Sequence, residues 1–395
     1  MQVIRGRWIK NQLELSDTFL AKLPNEFELD LGVEKVPVIN KKRFGILLLK
    51  SFFMPNPKEM TVTKLGSQIS AGPILGLMVR GLSEINAQQF KNYFTSKTPG
   101  LTYVFDESLL NTAKIEGYYF NDNWYYMNLP KPNYVFDRTY PSNTQNKLKL
   151  PRSVFFNPIT QFSKSEVIRV LKQNSIDVPE TFSGTFETVY RRFVLFYLKP
   201  DRGSFGQGIF VVKKRKTDIL VYSSTSNSLT IYTNEKFLNL LGYLEKNSYI
   251  LQKGICPTKL EEDPVDFRLH VLADPNPRLA SLAARTSSWD FLYTSAPKKI
   301  LKGADILSKK DLDALGKLIS RVHFVLSRAF GLYVEFSLDV IKEEDTGKFY
   351  VIDVNGKSTR THPQILGDNL ADYYSASQKL ANHLFIGKAH APFLL

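Results

Sequence analysis

A glycine-rich segment enclosed by two apolar runs constrains the fold of this chain more than any other part of the sequence. Residues 198–209, LKPDRGSFGQGI, lie between the apolar runs 193–197 and 209–212. Both runs are rich in β-branched and aromatic residues, which indicates a strand, a loop and a second strand. A strand-end lysine and three loop glycines can hold polyphosphate, because an ammonium is a point charge and glycines let backbone N–H groups approach closely.

The same segment is consistent with a plain hairpin whose loop needs residues of positive φ. It matches neither the Walker A motif nor the dinucleotide-binding fingerprint, because no helix is predicted after the loop. From these residues alone, a structural turn and a phosphate-binding loop remain equal alternatives.

Length and composition indicate a folded chain of two or three domains, with 395 residues of which 43% are hydrophobic. The single cysteine, Cys256, excludes an internal disulfide and a multi-cysteine metal site. No apolar run reaches transmembrane length, and residues 1–8 show no signal-peptide pattern. We therefore expect a cytoplasmic protein that does not enter the membrane.

The net charge is +14, from 52 basic and 38 acidic residues. Such a charge is compatible with nucleic acid, an anionic surface or anionic small substrates. The densest basic cluster, residues 213–216, is short, and the remaining lysines are scattered. This pattern disfavours nucleic acid as a partner.

The order of predicted elements divides the chain into three parts. Short β-like pieces at 27–31 and 36–39 predict a small β-rich segment over residues 1–40. Residues 41–150 alternate between predicted strands and helices, which indicates an α/β domain with a partly parallel sheet. The expected strands are 43–49, 101–105 and 133–138, the expected helices 71–81 and 83–93, and the expected hairpin turn 121–123. The Pro/Ser/Asn-rich segment 140–149 is the best domain boundary.

The third part, residues 151–395, begins with a predicted helix at 164–173. Ser163 and Glu166 have the spacing of a capping box at its start. Apolar residues at helical spacing predict a long helix over 308–330, capped by Ser308 and ended by Gly331. The last two predicted strands are 333–341 and 348–355.

Those two strands carry polar residues at positions that favour a cation. Asp353 and Asn355 lie two apart on one strand, so both side chains point to the same face, and Asp339 on the neighbouring strand can join them. Two carboxylates and an amide oxygen form a hard donor set suited to Mg²⁺ that bridges phosphates. The alternative is that these residues cap turns at strand ends.

The order of these features resembles that of the ATP-grasp superfamily, and more closely the YheC/YheD family of ATP-grasp proteins associated with endospore coats. The resemblance covers the chain from about residue 40 onward, and it is carried by short motifs: Phe156-Asn157, Pro179-Glu180-Thr181, Tyr197-Leu198-Lys199-Pro200, the loop 203–209, residues 249–255, Asp266-Phe267-Arg268 and Val354-Asn355-Gly356-Lys357. It implies an α/β (α+β) architecture: an ATP-grasp domain over 151–395, with a lid subdomain at about 180–255, and a pre-ATP-grasp α/β domain over 41–150.

The resemblance also implies roles for single positions, with ATP and Mg²⁺ as cofactors. Residues expected to bind the nucleotide are Lys164, Lys199, Gly203, Ser204, Phe205, Gly206, Gly208, Gln252, Lys253 and Ile255. Arg268, together with Lys199, is expected to stabilise charge on the transferring phosphoryl group. Asp339, Asp353 and Asn355 are expected to hold the metal. Lys164 can instead be a solvent-facing helix lysine.

The sequence departs from the family pattern at several positions. Gln252 stands where many ATP-grasp enzymes have glutamate, and Asp353 replaces the usual glutamate with a shorter carboxylate. Residues 285–297 lack the family's asparagine and glycine pair, and 355–360 read Asn-Gly-Lys-Ser-Thr-Arg. Both regions are expected to face the acceptor, where Arg285 and Arg360 are candidates for binding an anionic substrate; either can equally be a surface arginine.

The family chemistry predicts an ADP-forming carboxylate–amine ligase: ATP phosphorylates a carboxylate and an amine attacks the acylphosphate. Its partners would be small-molecule or peptide carboxylates and amines. The alternatives are a non-catalytic ATP-binding protein associated with the spore coat, which the altered acceptor loop favours, and a phosphotransferase of the same fold. His270, inside a predicted strand, is expected to be packed rather than catalytic.

Overall fold

A computed structural model gives the fold of the chain. It describes residues 2–10, 12–14, 26–30, 35–41, 46–49, 54–65, 68–94, 101–111, 115–121, 123–129, 131–143, 145–151, 153–203, 206–287 and 297–386. The chain divides into two compact units. The first combines Met1–Pro158 with Ala371–Leu395, and the second is Ile159–Leu370.

The first unit begins with a closed β-barrel. Its strands follow the order β1-β2-β5-β4-β3-β7-β6, and β6 pairs with β1 to close it. The expected β pieces at 27–31 and 36–39 correspond to two of these strands, and the barrel continues across the boundary expected at residue 40. The strands are β1 (Gln2–Lys10), β2 (Gln12–Glu14), β3 (Glu26–Asp30), β4 (Lys35–Lys41), β5 (Ile46–Leu49), β6 (Met54–Leu65) and β7 (Gln68–Gly72).

A mixed sheet follows the barrel in the first unit. Its order is β11-β10-β9-β8-β12-β13. The four strands β9, β8, β12 and β13 are parallel to their neighbours in this group, as predicted for an α/β domain with a partly parallel sheet. The predicted hairpin is confirmed, with Asn121 opposite Asn123. The elements are β8 (Ile74–Val79), α1 (Glu84–Ala87), β9 (Leu101–Asp106), β10 (Ile115–Asn121), β11 (Asn123–Leu129), β12 (Tyr134–Asp137), α2 (Asn146–Lys149) and β13 (Val154–Phe156).

The helix predicted over residues 71–81 is wrong. Residues 71–81 were expected to form a helix, whereas Ile74–Val79 is a strand with every side chain buried. A run of six apolar residues has no amphipathic period, so a strand covered on both faces and a buried helix have the same pattern. The expected helix at 83–93 exists as α1 and a following 3-10 turn, Gln88–Phe94.

The second unit contains two antiparallel sheets, and the first of them carries the glycine-rich segment. Its order is β14-β19-β15-β16-β17-β18. The segment joins β15 to β16 as the predicted hairpin, with Leu198 opposite Phe210. The elements up to this sheet's end are α3 (Lys164–Gln173), β14 (Thr181–Phe182), α4 (Phe186–Val189), β15 (Leu195–Pro200), β16 (Phe210–Lys214), β17 (Ile219–Ser223), β18 (Ser228–Tyr232), α5 (Asn234–Lys246) and β19 (Tyr249–Lys253).

The other sheet of the second unit has the order β23-β22-β21-β24-β25, with a short strand β20 paired to β21. The long helix expected at 308–330 is confirmed, including the Ser308 N-cap and the end at Gly331, and the Asp311 side chain adds the reciprocal bond of a capping box. The elements are β20 (Lys259–Leu260), β21 (Asp263–Ala273), β22 (Pro277–Thr286), β23 (Ile300–Lys302), α6 (Lys309–Phe330), β24 (Glu335–Lys342), β25 (Phe349–Asn355) and α7 (Thr361–Ile365).

The last helix, α8 (Ala371–Ile386), belongs to the first unit. Its Gln378 side chain donates hydrogen bonds to the Tyr93 carbonyl oxygen at 2.6 Å and to Thr102 Oγ1 at 3.1 Å. In the part of the chain that the structure describes, no helix is both long and apolar enough to cross a membrane.

Strict alternation on β21 and β24 gives their sheet one apolar and one polar face. Apolar residues such as Phe267, Leu269 and Leu338 point into a core that α6 covers with Leu315 and Ile319. Because side chains alternate along a strand, the residues between them project from the opposite face. The polar face consists of Asp266, Arg268, His270, Glu335, Ser337 and Asp339. The fold therefore concentrates the chemistry of these strands on one surface.

Candidate nucleotide and metal site

Arg268, Asp339 and Asp353 lie side by side on the polar face. Arg268 on β21 is the register partner of Asp339 on β24, which in turn is opposite Asp353 on β25. Arg268 donates from Nε and Nη2 to the two Asp339 oxygens, each at 2.6 Å. A bidentate pair of this kind fixes both groups in one plane.

A second arginine reinforces the same carboxylate. Arg285 Nη2 lies 3.1 Å from Asp339 Oδ1, while its Nε and Nη2 also bond both oxygens of the buried Asp266. Burial acts to raise the pKa of Asp339, but the charges of Arg268 and Arg285 outweigh it and hold that pKa well below its usual range. Asp339 is therefore ionised, which is the form that binds a cation.

Asp353 and Asn355 complete the predicted donor set on β25. Asp353 is opposite Asp339 and Asn355 is opposite Ser337, so both side chains share the polar face with Asp339. The donors are all oxygen. Asp339 Oδ1 accepts from Arg268 Nε and Arg285 Nη2, and Oδ2 accepts from Arg268 Nη2, which leaves one lone pair, on Oδ2, for a cation. Asn355 would contribute its amide oxygen to a metal; its Nδ2 atom, which cannot bind a cation, is buried and has no hydrogen-bond partner among the described residues. The residues present thus fit Mg²⁺.

Lys199 faces these carboxylates from the other sheet of the same unit. Lys199 is only 8% exposed, and its ammonium donates to Gln252 Oε1 at 2.7 Å. Burial lowers the pKa of Lys199 to about 8; Asp353 acts against this shift, whereas Lys164 adds to it. A buried lysine with a neutral amide as its hydrogen-bond partner is an incompletely neutralised cation, which suits an anionic ligand.

Lys164, at the start of α3, connects the loop to the carboxylate row. Its Nζ donates to the Gly203 carbonyl oxygen at 2.9 Å and lies 4.0 Å from Asp353 Oδ1. The alternative of a solvent-facing helix lysine is wrong, because this side chain is only 12% exposed.

The glycine-rich loop is anchored at its first turn. Asp201 accepts hydrogen bonds from Ser163 Oγ at 2.8 Å and from the Ser165 N–H at 2.7 Å, which fastens the loop to the first turn of α3. Gly208 has φ of +71°, and an added Cβ would lie 2.9 Å from the Tyr249 hydroxyl. Gly206 also has positive φ. Ser204 and Phe205 lie outside the described residues.

The residues expected to line the adenine site lie at the end of β19 and just beyond it. Gln252 is 1% exposed, and its Nε2 donates weakly to Thr181 Oγ1 at 3.3 Å. The Lys253 N–H bonds the Glu180 carbonyl oxygen, and Ile255 is buried in a small apolar cluster with Ile341. The structure therefore shows a task for Gln252 that the sequence did not predict, which is to orient Lys199.

Both arginines predicted to bind substrate already have carboxylate partners. Arg285 is 3% exposed and bonded to Asp266 and Asp339, and Arg360 Nη2 lies 3.0 Å from the buried Glu335. Neither is a surface arginine. Of the expected acceptor region 285–297, residues 288–296 lie outside the described part of the chain.

Three supporting residues were not predicted from the sequence: Asp201, Asp266 and Glu335. Asp201 anchors the glycine-rich loop, Asp266 pairs with Arg285, and Glu335 pairs with Arg360. For Asp266 and Glu335 the signal was present, because both occupy polar positions in a strict alternation. For Asp201 no pattern indicated the bond to α3.

A lysine-bearing hairpin loop in one sheet, facing an arginine and a carboxylate–amide set in a second, defines an ATP-grasp fold. The family model for YheC/D like ATP-grasp matches residues 152–382. The chain belongs to this family.

Solved structures are similar to the chain at low sequence identity. The VanG D-Ala:D-Ser ligase from Enterococcus faecalis is 13% identical, with a TM-score of 0.50, over 78% of this chain and 99% of that one. D-alanyl-alanine synthetase A from Vibrio cholerae is 9% identical, with a TM-score of 0.48, over 80% and 99%. The ATP-grasp ligase PsnB with its minimal precursor is 13% identical, with a TM-score of 0.48, over 79% and 99%. Among curated proteins, none matches the chain.

Proposed function

We propose that this protein is an ATP- and Mg²⁺-dependent ligase that joins a carboxylate to an amine through an acylphosphate, with release of ADP. The observation that carries the proposal is the row Arg268–Asp339–Asp353 opposite the buried Lys199. Cations and an ionised metal-binding carboxylate converge there, as transfer of a phosphoryl group between two anions requires.

Each group of the site has a part in this reaction. Lys199 and Lys164 bind the phosphates of ATP, and Gly203, Gly206 and Gly208 let the loop backbone approach them. The loop residues Ser204 and Phe205 are proposed to cover the triphosphate. On the adenine side, the proposed contacts are Gln252, Lys253 and Ile255.

Arg268 is the proposed catalytic residue for phosphoryl transfer. Its guanidinium is already fixed beside Asp339, so it stabilises developing charge without reorganisation at the moment of reaction. Asp339, Asp353 and Asn355 would hold Mg²⁺, which neutralises charge on the phosphates when bound. The amine then attacks the carbonyl carbon of the acylphosphate, and inorganic phosphate leaves with the bonding electrons.

The neighbours act on substrates that suit this chemistry. One is named as a D-Ala:D-Ser ligase, and the ATP-grasp ligase PsnB is named in complex with a precursor peptide. We therefore propose an amino acid or peptide as substrate, with Arg285 and Arg360 near it as positioning residues through their carboxylate partners.

The test has two stages. Mg-ATP should raise the melting temperature of the purified protein, and Asp353→Ala should abolish that rise; a protein indifferent to Mg-ATP contradicts every ATP-dependent function. ADP release is then measured with panels of acids and amines. Loss of water in the product mass supports a ligase, and a gain of one phosphoryl group supports a phosphotransferase. Binding without turnover across the panels supports a non-catalytic role.

A further inference from the structure

A second polar row crosses the same sheet beside the proposed metal site. Ser281, His270, Ser337 and Asn355 are successive register partners on β22, β21, β24 and β25. The His362 ring, on α7, lies 6.1 Å from the His270 ring between centroids. We call these five residues the polar strip. It is displaced by two residues along the strands from the Arg268 row, which corresponds to about 7 Å.

Several buried atoms of the polar strip have no protein partner. Ser281 Oγ, Asn355 Nδ2 and His362 Nδ1 are buried and accept or donate no hydrogen bond among the described residues. Ser281 as a whole is only 5% exposed. Each unpaired buried polar atom destabilises a fold. Three such atoms in one strip are expected where a ligand provides the missing partners.

The polar strip carries hydrogen-bonding groups but no net charge. Burial, aided by the charge of Arg268, lowers the pKa of His270 to about 3 and that of His362 to about 4, so both imidazoles are neutral. At the strip's end, Glu335 and Arg360 neutralise each other at 3.0 Å. A carboxylate ligand bound at the strip would find Arg360 already paired with a protein carboxylate, so it would gain little from that charge.

We propose that the polar strip binds the backbone amides of a peptide substrate whose reacting group lies at the neighbouring Arg268 row. An amide is uncharged and offers one donor and one acceptor, which complements the hydroxyl, amide and imidazole groups of the strip. This inference deepens the proposed ligase function and rests on it for the identity of the reacting group. It predicts a peptide, not a free amino acid, at this end of the site.

Histidine NMR tests the proposal without any need for turnover. The chain has five histidines, so imidazole signals of labelled protein can be assigned with single variants. The probe is N-acetylglycine N-methylamide, and its matched carboxylate is N-acetylglycine. We expect the signals of His270 and His362 to shift saturably with the amide, with at least tenfold weaker binding of the carboxylate. His323, which bonds the Tyr333 carbonyl oxygen behind the sheet, should not shift.

Variants separate recognition from folding. Ser281→Ala and His362→Phe should each weaken amide binding by about fivefold to tenfold, in line with the loss of one hydrogen bond. Ser320→Ala, on the exposed side of α6, should leave it unchanged. The proposal is overturned if the carboxylate binds as tightly as the amide or more tightly. It is also overturned if the His270 and His362 signals do not shift at the highest soluble concentration of the amide. A failure of Mg-ATP to bind would instead refute the ligase function and leave the amide titration unaffected.

Discussion

The affinity of this protein for ATP should fall as pH rises above about 8, because Lys199 loses its proton in the free protein. Burial is the main cause of that low pKa, and bound phosphates oppose it by favouring the charged form. Free protein above pH 8 must therefore take up a proton in order to bind ATP. The charges near Lys199 are those of Asp353, Lys164, Asp339 and Asp266.

The magnitude follows from linkage. With a free-state pKa of about 8 and a bound-state pKa at or above the ordinary 10.5, the dissociation constant increases in proportion to 1 + 10^(pH − 8). Between pH 7 and pH 9 the dissociation constant should rise about tenfold, which is about 1.4 kcal/mol of binding free energy.

The assay is a calorimetric or fluorescence titration with Mg-ATP at steps of half a pH unit from 7 to 9.5. Lys199→Met should bind ATP more weakly at pH 7 and show a flat profile. Gln252→Glu places a carboxylate beside the ammonium and should move the decline to higher pH. A flat wild-type profile, or an equal decline in Lys199→Met, would refute the assignment of the titrating group to Lys199.

The same lysine predicts the opposite trend for folding. Below pH 8 both states are protonated, whereas between about 8 and 10.5 only the unfolded state carries the proton. The unfolded state then binds more protons, so the free energy of unfolding rises with pH in this window, by at most about 3 kcal/mol. Urea unfolding of wild type and Lys199→Met at pH 7.5 and 9.5 measures this difference.

Further predictions concern the supports of the site. Arg285→Met leaves the buried Asp266 carboxylate without its bidentate partner and should lower the free energy of unfolding by about 3–5 kcal/mol, measured with urea; an Asp266→Leu/Arg285→Met double variant should recover part of it. Gly356→Ala would place a Cβ 2.3 Å from the Ile159 carbonyl oxygen and should lower the free energy of unfolding by about 1–3 kcal/mol. Gly316→Ala, in open space on α6, should raise it by about 0.5–1 kcal/mol. Similar effects of the two variants would contradict the packing argument. Arg268→Met should lower the rate of ADP formation by about 10²–10³ with little change in ATP affinity, and an unchanged rate in single-turnover measurements would remove Arg268 from the chemistry.

Local patterns in the sequence predicted much of the second unit. The alternation of side chains along a strand predicted a common face for Asp339, Asp353 and Asn355, and the register of β24 and β25 agrees with it. The hairpin of the glycine-rich segment and the long helix α6 were likewise encoded by short-range signals. For residues 71–81 no such signal existed, because a short, fully apolar run has the same pattern in a buried strand as in a buried helix.

The contacts that tune the site are long-range and escaped prediction. Gln252 bonds Lys199 across 53 positions, and the Arg285–Asp266 pair depends on the register of β21 and β22. The cap of α3 shows the same limit. Ser163 Oγ accepts from the Glu166 N–H, which is one half of the expected capping box, and its hydroxyl proton goes to Asp201, which no local pattern indicated.

The bond between Lys164 and the Gly203 carbonyl oxygen has a consequence for the way the loop meets a nucleotide. An ammonium has three N–H donors, so a nucleotide phosphate can accept from two of them while the Gly203 carbonyl oxygen keeps the third. A hydrogen bond to a charged group contributes about 1.5–3 kcal/mol, so this bond favours the loop position against α3 before any nucleotide binds. In the proposed ligase, Lys164 would therefore join the loop to the triphosphate through a single ammonium.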